Sequence, residues 1–485
     1  MISRSPDYFA ILTTMGSKEE LAWLDLTEAS RLVQTRAVSP VELTRVCLDR
    51  IERFNPILKP FITVTAESAL QEARQAESEI SKDNWKGPLH GIPLAVKDLL
   101  DTAGVRTTAA SAVLEDNIPV HDAYVVQRLR SAGAVLLGKL NLHEFAYGGS
   151  AIIGHFGIVR NPWDPARITG GSSSGSASAV AAGLCYGAIG TDTAGSIRLP
   201  ASCCGITGLK PTYGLVSTRG VIPLSWSFDH VGPMTRTVAD AALLLQVIAS
   251  YDAQDFYCQK FPAVHYPKAI EEKAESAAAL RLGTPRDFWK ELDPEVRAAV
   301  DMAVKVLGRL TAGIEDISLS TETDRTVVRC EPFVFHRKYL PQLQEKYHPE
   351  TLRRILTGSD VTAPQYVEKY RELQRMRRDV LKMFEHTDLI VTPTCPLLPP
   401  TVAELEAAPE DLRKKEMVML RNTRPFNGLG LPTISVPCGF SGSGLPIGLQ
   451  IAAAPGAEDV LLSLARAYQN ETDWHKRRPE KIGTP

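Results

Sequence analysis

The sequence lacks every cysteine pattern that would indicate a metal site or a redox centre. Its eight cysteines are scattered along the chain, with none in a Cys-x-x-Cys pair, and no histidine spacing resembles that of a zinc site. This absence predicts no metal and no disulfide framework. We interpret the cysteines as buried thiols of a protein from a reducing compartment.

A strong charge of either sign is also missing. Fifty-four Lys and Arg residues against 56 Asp and Glu residues give a formal net charge of −2. Such a balance creates no global field that would attract nucleic acid or an anionic membrane surface. We therefore expect a small-molecule partner, no nucleic-acid partner and no membrane partner.

Long apolar runs, secretion signals and linkers are absent as well. The longest apolar stretch, residues 177–190, is interrupted by glycines and is too short to span a bilayer. Residues 1–24 show no positive cluster followed by an apolar run, so the expected location is cytoplasmic. Because no linker composition divides the chain, we expect one domain over residues 1–485, with a helical arm over residues 18–80.

The spacing of apolar residues changes along the chain. In the arm, apolar residues recur at three- and four-residue steps, and Ser39-Pro40 followed by Glu42 marks a helix start. After Gly87, short apolar runs alternate with helical stretches, which is typical of an α/β protein. Strands are expected at residues 92–96, 134–137, 186–189, 389–391 and 433–436, and helices at residues 293–310 and 365–384.

Two loops rich in glycine and serine, residues 169–176 and 190–196, bracket one predicted helix and one predicted strand. A ten-residue helix rises about 15 Å and six extended residues return about 20 Å, so the two loops can meet at one end. Ser172 and Ser196, 24 residues apart, would then be neighbours. Successive backbone N–H groups of the second loop are a candidate nest for an oxyanion; they belong to Thr193, Ala194, Gly195 and Ser196.

A lysine supplies the base that a serine hydroxyl needs. Lys97 follows the apolar residues 92–96, and a lysine that enters the core loses hydration, which lowers its pKa towards the range of a neutral amine. Pairs of serine and lysine are a known variant of the catalytic triad. A strand-end lysine is more often merely solvated, and a Ser/Gly loop is more often a turn. The coincidence of all three features favours a catalytic site.

Several motifs follow one another in a fixed order. They are GIPLAVKD at 91–98, GGSS at 170–173, GTDTAGSIRLP at 190–200, CGITGLKP at 204–211, VGPMTRTVAD at 231–240 and GLP at 430–432. With these motifs the sequence resembles the amidase signature family, and the recognisable resemblance extends over about half of the chain. The resemblance implies an α/β/α sandwich, in which helices cover both faces of a mixed twisted central sheet, and a catalytic core over residues 90–240.

The resemblance also implies the chemistry. Ser196 would be the nucleophile, Ser172 a proton relay preceded by a cis peptide bond, and Lys97 the base. The enzyme would hydrolyse an acyl carbon–nitrogen bond through an acyl-enzyme, without a metal or an organic cofactor. Thr193, Ala194, Gly195 and Ser196 would offer their N–H groups to the oxyanion.

The sequence departs from the family pattern at two positions. Ser174 and Ala194 stand where the family usually has glycine, and Ala194 must adopt a backbone angle open to a residue with a Cβ atom, which bears on the oxyanion geometry. Ser173, Asp192 and Arg198 are expected to brace the loops by hydrogen bonds and charge pairing.

Two alternatives place the chemistry elsewhere. Residues 171–175 match Gly-x-Ser-x-Gly, the nucleophile elbow of an esterase of the α/β-hydrolase class, with Ser173 as nucleophile. That motif requires a preceding strand, whereas residues 161–167 are turn-like. Residues 133–139 approach a phosphate-binding loop, but Leu140 stands where Ser or Thr should hold magnesium, and the segment fits a strand better.

A third alternative shares the fold and the triad. It is the glutaminase subunit of a tRNA-dependent amidotransferase, which works inside a complex. In our alignment, an acidic residue that helps to hold glutamine in that subunit falls at Leu420, and an apolar residue cannot pair with an ammonium group. We therefore place a free-standing amidase first.

The substrate is expected to be a small amide, with aryl amides first and with esters and carbamates, as in urethanase-like members, within the same acyl chemistry. The pocket should be formed by variable stretches at residues 144–153, 217–230 and 331–427. A monomer or a homodimer is expected. The candidate pocket residues are Tyr147, Gly148, Gly149 and Ser150.

Overall fold

A mixed sheet of 11 strands forms the centre of the computed structural model, which describes residues 18–272, 274–320, 322–480 and 482. The strands are β1 (Phe61–Val64), β2 (Pro93–Lys97), β3 (Val135–Leu140), β4 (Gly187–Asp192), β5 (Thr207–Lys210), β6 (His230–Thr235), β7 (Arg281–Pro285), β8 (Gly313–Ile317), β9 (Leu389–Pro393), β10 (Thr433–Phe440) and β11 (Pro446–Ala453).

The spatial order of the strands is β1-β3-β2-β4-β6-β5-β10-β11-β9-β7-β8. Strand β2 is parallel to both β3 and β4, and β7 is parallel to both β8 and β9, whereas the other neighbours are antiparallel. The pairing of β5 with β10 joins segments that are more than 200 residues apart in sequence. The sheet thus gathers strands from both ends of the chain, as predicted.

Helices cover the sheet. Every residue of β2, β3, β4, β6, β9 and β11 is buried, which requires cover on both faces and confirms the predicted α/β sandwich. In the described ranges, no helix is long and apolar enough to cross a membrane. The α-helices are α1 (Leu26–Gln34), α2 (Pro40–Leu58), α3 (Ala66–Ser81), α4 (Tyr124–Ser131), α5 (Ser174–Ala181), α6 (Arg198–Cys204), α7 (Val238–Ile248), α8 (Tyr266–Glu272), α9 (Pro294–Leu310), α10 (Thr326–His336), α11 (Leu340–Leu343), α12 (Pro349–Leu356), α13 (Ala363–Asp379), α14 (Val402–Glu406), α15 (Leu412–Met419), α16 (Arg424–Gly428) and α17 (Glu458–Asn470).

The N-terminal segment is not helical throughout. Helix α2 begins as predicted, because Ser39 caps it in a capping box with Glu42 and Pro40 occupies its first turn. Between α2 and α3, however, β1 pairs with β3 at one edge of the sheet. The four residues of β1, Phe-Ile-Thr-Val, are mostly β-branched, but so short a run does not interrupt the helical period around it.

The carboxyl ends of β2 and β4 lie side by side. The two strands are parallel neighbours with Val96 opposite Ile189, so Lys97 and the residues after Ile189 emerge at the same edge of the sheet. Between the serine-rich loops, α5 is shorter than the ten-residue helix expected, and β4 ends three residues later than the strand expected at residues 186–189. Both loops nevertheless reach this edge.

Candidate active site

Lys97 ends strand β2 in the interior of the protein, with none of the residue exposed. Its Nζ lies 2.8 Å from Ser172 Oγ, 2.9 Å from Ser173 Oγ and 2.8 Å from Thr191 Oγ1. Burial lowers the pKa of the Lys97 amine to about 7, although two nearby carboxylates oppose this shift. The direct partners of the amine are thus hydroxyl groups, and a neutral amine is accessible near pH 7.

The first serine-rich loop places Ser172 beside this amine. The Gly171–Ser172 peptide bond is cis, as the resemblance implied. Gly171 N donates to Gly149 O at 2.7 Å, and Ser173 N donates to Ser196 O at 3.2 Å. The second bond joins the two serine-rich loops, so Ser172 and Ser196 lie in adjacent loops despite their separation in sequence.

Ser196 lies in the wall of a cavity of about 290 Å³. The residue is 4% exposed, and it stands in the turn between β4 and α6. The turn needs glycine at Gly195, whose φ is +133° and where a Cβ atom would overlap Thr423 Oγ1. The cavity wall includes Ser196 but neither Ser172 nor Lys97, so Ser196 is the member of the three that reaches the cavity.

Ser173, the nucleophile of the elbow alternative, points away from the cavity. Its hydroxyl lies between the Lys97 amine and Thr191 O, to which it donates at 3.1 Å, and the residue is fully buried. Residues 169–173 form no strand, although the elbow motif requires one. The geometry therefore offers Ser173 as a partner of the lysine and gives it no access to a substrate.

The phosphate-loop alternative is wrong. Residues 135–140 form the buried strand β3, and Lys139 is 1% exposed. Lys139 Nζ lies 3.2 Å from Asp98 Oδ1 and donates to Leu100 O at 2.7 Å. This lysine is held inside the core by protein groups, so it cannot reach a nucleotide phosphate.

Asp192 and Arg198 form an ion pair with neither side chain exposed. Arg198 Nε donates to Asp192 Oδ2 and Nη2 donates to Asp192 Oδ1, both at 3.0 Å. Burial alone would raise the pKa of Asp192, but Arg198 holds it well below its usual range. The carboxylate also accepts from Gly195 N at 2.7 Å and from Ile197 N at 3.1 Å, so the pair fixes the turn that carries Ser196.

One of the four expected oxyanion donors is engaged elsewhere. Because Gly195 N–H points to Asp192 Oδ1, it is not available to a ligand in this conformation. Thr193 and Ala194 both line the cavity with Ser196, and Thr193 Oγ1 donates to Asp229 Oδ1 at 2.5 Å. Any oxyanion contact in this conformation would therefore come from residues 193, 194 and 196.

Replacing Arg198 by methionine should lower the free energy of unfolding by about 3 to 5 kcal/mol, because Asp192 would remain buried without its counter-charge. Urea denaturation followed by circular dichroism measures this loss. Arg286 is the matched control, since its pair with Asp316 is largely exposed and Arg286→Met should leave the midpoint unchanged. Equal midpoints for the two variants would contradict the bracing role of Arg198.

The predicted pocket segment lies only partly at the cavity. Tyr147 and Gly148 line it, whereas Gly149 and Ser150 do not. Gly149 O accepts the bond from the first serine-rich loop, and Ser150 Oγ donates to the buried carboxylate of Glu416 at 2.7 Å. These two residues support the site from behind the wall.

Several residues that contact the site could not be identified from the sequence. Thr191 stands within the recognised Gly-Thr-Asp-Thr motif, but nothing in its spacing indicates that its hydroxyl contacts the lysine. Asn427 and Gln450 accept hydrogen bonds from Arg198 at 2.6 and 2.8 Å across more than 220 residues of sequence. One cavity wall comes from the unpatterned segment between β8 and α10, which the three predicted stretches omit.

Comparison with known proteins agrees with this geometry. The family model described as Amidase matches residues 42–462. A curated relative, a glutamyl-tRNA(Gln) amidotransferase subunit of Moorella thermoacetica, is 39% identical over 490 residues, which cover 95% of this chain and 99% of the relative.

Two solved structures are similar over nearly the whole chain. A 6-aminohexanoate cyclic dimer hydrolase complexed with substrate has a TM-score of 0.84 and 31% identity, covering 95% of this chain and 100% of that one. The corresponding glutamyl-tRNA(Gln) amidotransferase subunit of Thermotoga maritima has a TM-score of 0.75 and 32% identity, covering 93% and 95%. The chain belongs to the amidase signature family and is an amidase-type enzyme that acts on carbon–nitrogen bonds.

Proposed function

We propose that this enzyme hydrolyses the acyl carbon–nitrogen bond of a small amide, with Ser196 as nucleophile, Ser172 as proton relay and Lys97 as base. The observation that carries the proposal is the fully buried Lys97 amine, 2.8 Å from Ser172 Oγ, with a pKa lowered by burial to about 7. A neutral amine in that place can accept a proton from a hydroxyl, which an ordinary lysine cannot do near neutral pH.

The proposed proton path combines the contact of Lys97 with Ser172 and the place of Ser196 in the cavity wall. Lys97 takes a proton from Ser172 Oγ while Ser172 takes one from Ser196 Oγ, and Ser196 Oγ attacks the carbonyl carbon. The proton returns through Ser172 to the departing nitrogen, and the amine leaves. Water then hydrolyses the acyl-enzyme by the same relay and releases a carboxylic acid.

The negative charge of the tetrahedral intermediate needs donors at the cavity wall. The backbone N–H groups of Thr193, Ala194 and Ser196 are the proposed donors, because these residues line the cavity and Gly195 N–H is engaged by Asp192. Asp192, Arg198 and Ser173 have supporting roles: the first two fix the turn, and the third holds the lysine.

Covalent labelling tests the choice of nucleophile. A fluorophosphonate probe should label Ser196, and peptide mass spectrometry locates the adduct. Ser173→Ala should still be labelled, whereas Ser196→Ala should not. An adduct on Ser173 would contradict the proposal and support the elbow alternative.

The geometry favours a free-standing hydrolase of a non-glutamine amide. Leu420, the position aligned with the acidic residue that helps to hold glutamine, lines the cavity. An α-ammonium group there would lack the carboxylate partner that the aligned acid supplies. Of the two similar solved structures, the cyclic dimer hydrolase has a higher TM-score than the amidotransferase subunit.

The curated relatives favour the second candidate, the glutaminase subunit of a tRNA-dependent amidotransferase. The Moorella relative, 39% identical over 95% of this chain, is named as one subunit of such an enzyme, and sequence similarity alone ranks this candidate above a free-standing amidase. Under this candidate the prediction of no nucleic-acid partner fails, because tRNA is in the relatives' name.

Activity of the purified chain separates the two candidates. The chain alone should release 4-nitroaniline from a small 4-nitroanilide and the aryl amine from a small N-aryl carbamate, and it should release little ammonia from glutamine. Efficient glutaminase activity without anilide hydrolysis would support the amidotransferase candidate instead. If the chain hydrolyses the anilide but not the carbamate, its substrates are restricted to amides.

A further inference from the structure

Three arginines from three separate elements line the cavity that contains Ser196. Arg325 directly precedes α10, Arg413 lies in α15, and Arg424 is the first residue of α16. The segment between α15 and α16 contacts the nucleophile turn, because Thr423 Oγ1 donates to Ala194 O at 2.7 Å. These positive charges therefore belong to the same chamber as the proposed nucleophile.

Only one of the three is neutralised by an acid. Arg413 Nη1 lies 3.1 Å from Glu416 Oε2, and the same carboxylate binds Arg354 at 2.8 Å. Within the described ranges, Arg325 and Arg424 form no ion pair, and Arg424 Nε is buried without a hydrogen-bond partner. Two guanidinium groups thus face the cavity without counter-charges.

The acidic residues in the cavity wall do not neutralise the charges of Arg325 and Arg424. Glu372 Oε2 lies 2.9 Å from Lys369 Nζ, and Asp324 Oδ2 lies 3.9 Å from the same nitrogen. Asp324 also accepts from Thr326 N at 2.8 Å at the start of α10. Glu322, the third acid, is exposed. The acidic groups are therefore occupied by a lysine and a helix end or exposed to solvent.

The positive charges that line the cavity destabilise one another. Burial lowers the pKa of Arg325 to about 10, and repulsion by Arg413 adds to this effect. Burial likewise lowers the pKa of Arg424 to about 10, with Arg413 as the next cause. An anion between these side chains would offset the repulsion and satisfy the unpaired Nε–H group of Arg424.

We propose that the substrate of this enzyme carries a carboxylate, which Arg325 and Arg424 bind while the amide carbonyl reaches Ser196. This inference rests on the proposed function, because it takes the cavity to be the substrate pocket. A guanidinium group binds a carboxylate through two parallel hydrogen bonds, which makes it better suited than lysine to orient such a group. The apolar side chains of Leu373, Met376 and Leu420 in the wall fit the short hydrocarbon segment between carboxylate and amide.

A pair of nearly isosteric substrates tests the inference. The first is the mono-4-nitroanilide of glutaric acid, and the second is 5-oxohexanoic acid 4-nitroanilide, in which a methyl ketone replaces the carboxylate. The wild-type enzyme should prefer the charged compound by about 10- to 100-fold in kcat/KM, the worth of charge-assisted hydrogen bonds. In the double variant Arg325→Met and Arg424→Met the ratio should fall to about one.

Arg371→Met is the matched control, because Arg371 is exposed on α13 and lies outside the cavity wall. It should leave the ratio at its wild-type value. A wild-type ratio near one, or a ratio that survives in the double variant, would overturn the proposed carboxylate site while leaving the amidase function intact.

Binding to the Ser196→Ala variant makes the inference independent of turnover. Calorimetry should give a dissociation constant for the glutaric compound at least tenfold below that of its neutral isostere, and the added double substitution should abolish the difference. If this preference appears without any hydrolysis by the wild-type chain, the proposed function fails and the carboxylate site stands. Equal binding of the two compounds, or binding of neither, overturns the site.

Discussion

Ser196→Ala should lower kcat/KM for a 4-nitroanilide by at least about 10⁴-fold, because it removes the proposed nucleophilic oxygen while the rest of the site stays in place. The side chain lies in the cavity wall, and its backbone carbonyl, which the substitution keeps, accepts the hydrogen bond from Ser173 N. The loops should therefore keep their arrangement and the thermal midpoint should hardly change. Release of 4-nitroaniline, followed at high enzyme concentration with both components well below saturation, measures the residual kcat/KM.

Ser173→Ala is the control for this loss. The Ser173 hydroxyl is one of three that lie within 2.9 Å of Lys97 Nζ, so two partners of the amine remain after the substitution. We expect a loss of roughly tenfold, the size of one hydrogen bond of this kind. If Ser173→Ala were the inactive variant and Ser196→Ala the active one, the assigned proton path would be wrong.

The elements that carry the site could be predicted because their signals are local. The apolar run that ends at Lys97 is a buried strand, and the capping box at Ser39 starts a helix where expected. The two serine-rich loops meet because one short helix and one strand connect them, which fixes their separation from the rise per residue alone. The α/β class and the three candidate side chains follow from such short-range patterns, whereas the sandwich architecture and the roles within the triad came from the resemblance to the amidase signature family.

The remaining features depend on contacts between distant segments. Asp192 takes the N–H group of Gly195 because Arg198 and Asn427 position the carboxylate, and Asn427 comes from a different part of the chain. The sequence predicts a row of N–H groups in the turn but not which of them is already bound. Strand β1 was missed for the same reason, since only its pairing with β3 stabilises so short a run.

The arginines in the cavity wall are the clearest case of a feature that the sequence does not predict. Arg325 lies 88 residues before Arg413, and Arg413 lies 11 residues before Arg424. No regular spacing in the sequence relates the three arginines. They meet only because α10, α15 and α16 converge at the nucleophile turn. Net charge over the chain, which is −2, gives no hint that one internal chamber collects unpaired positive charge.

Lys97→Met should lower kcat/KM by at least about 10⁴-fold and should remove the acidic limb of the pH profile. Methionine has a similar length and is apolar, so the buried site keeps its packing. In the proposed mechanism the neutral amine of the wild-type enzyme is the active form. Since burial lowers the pKa of Lys97 to about 7, log kcat/KM should fall with unit slope below pH 7 and be level above it.

Asp229 is a second group whose titration could produce the acidic limb of the pH profile. Burial raises the pKa of the Asp229 carboxyl to about 7, and the charge of Asp229 raises the pKa of Lys97, so the two groups titrate in the same range. Asp229→Asn separates them: without the negative charge the amine loses its proton more readily, and the limb should persist and move to lower pH. Profiles normalised to their plateaus do not depend on the amount of folded enzyme. A limb that disappears in Asp229→Asn but remains in the residual activity of Lys97→Met would assign the titration to the carboxyl, and Lys97 could then not be the base.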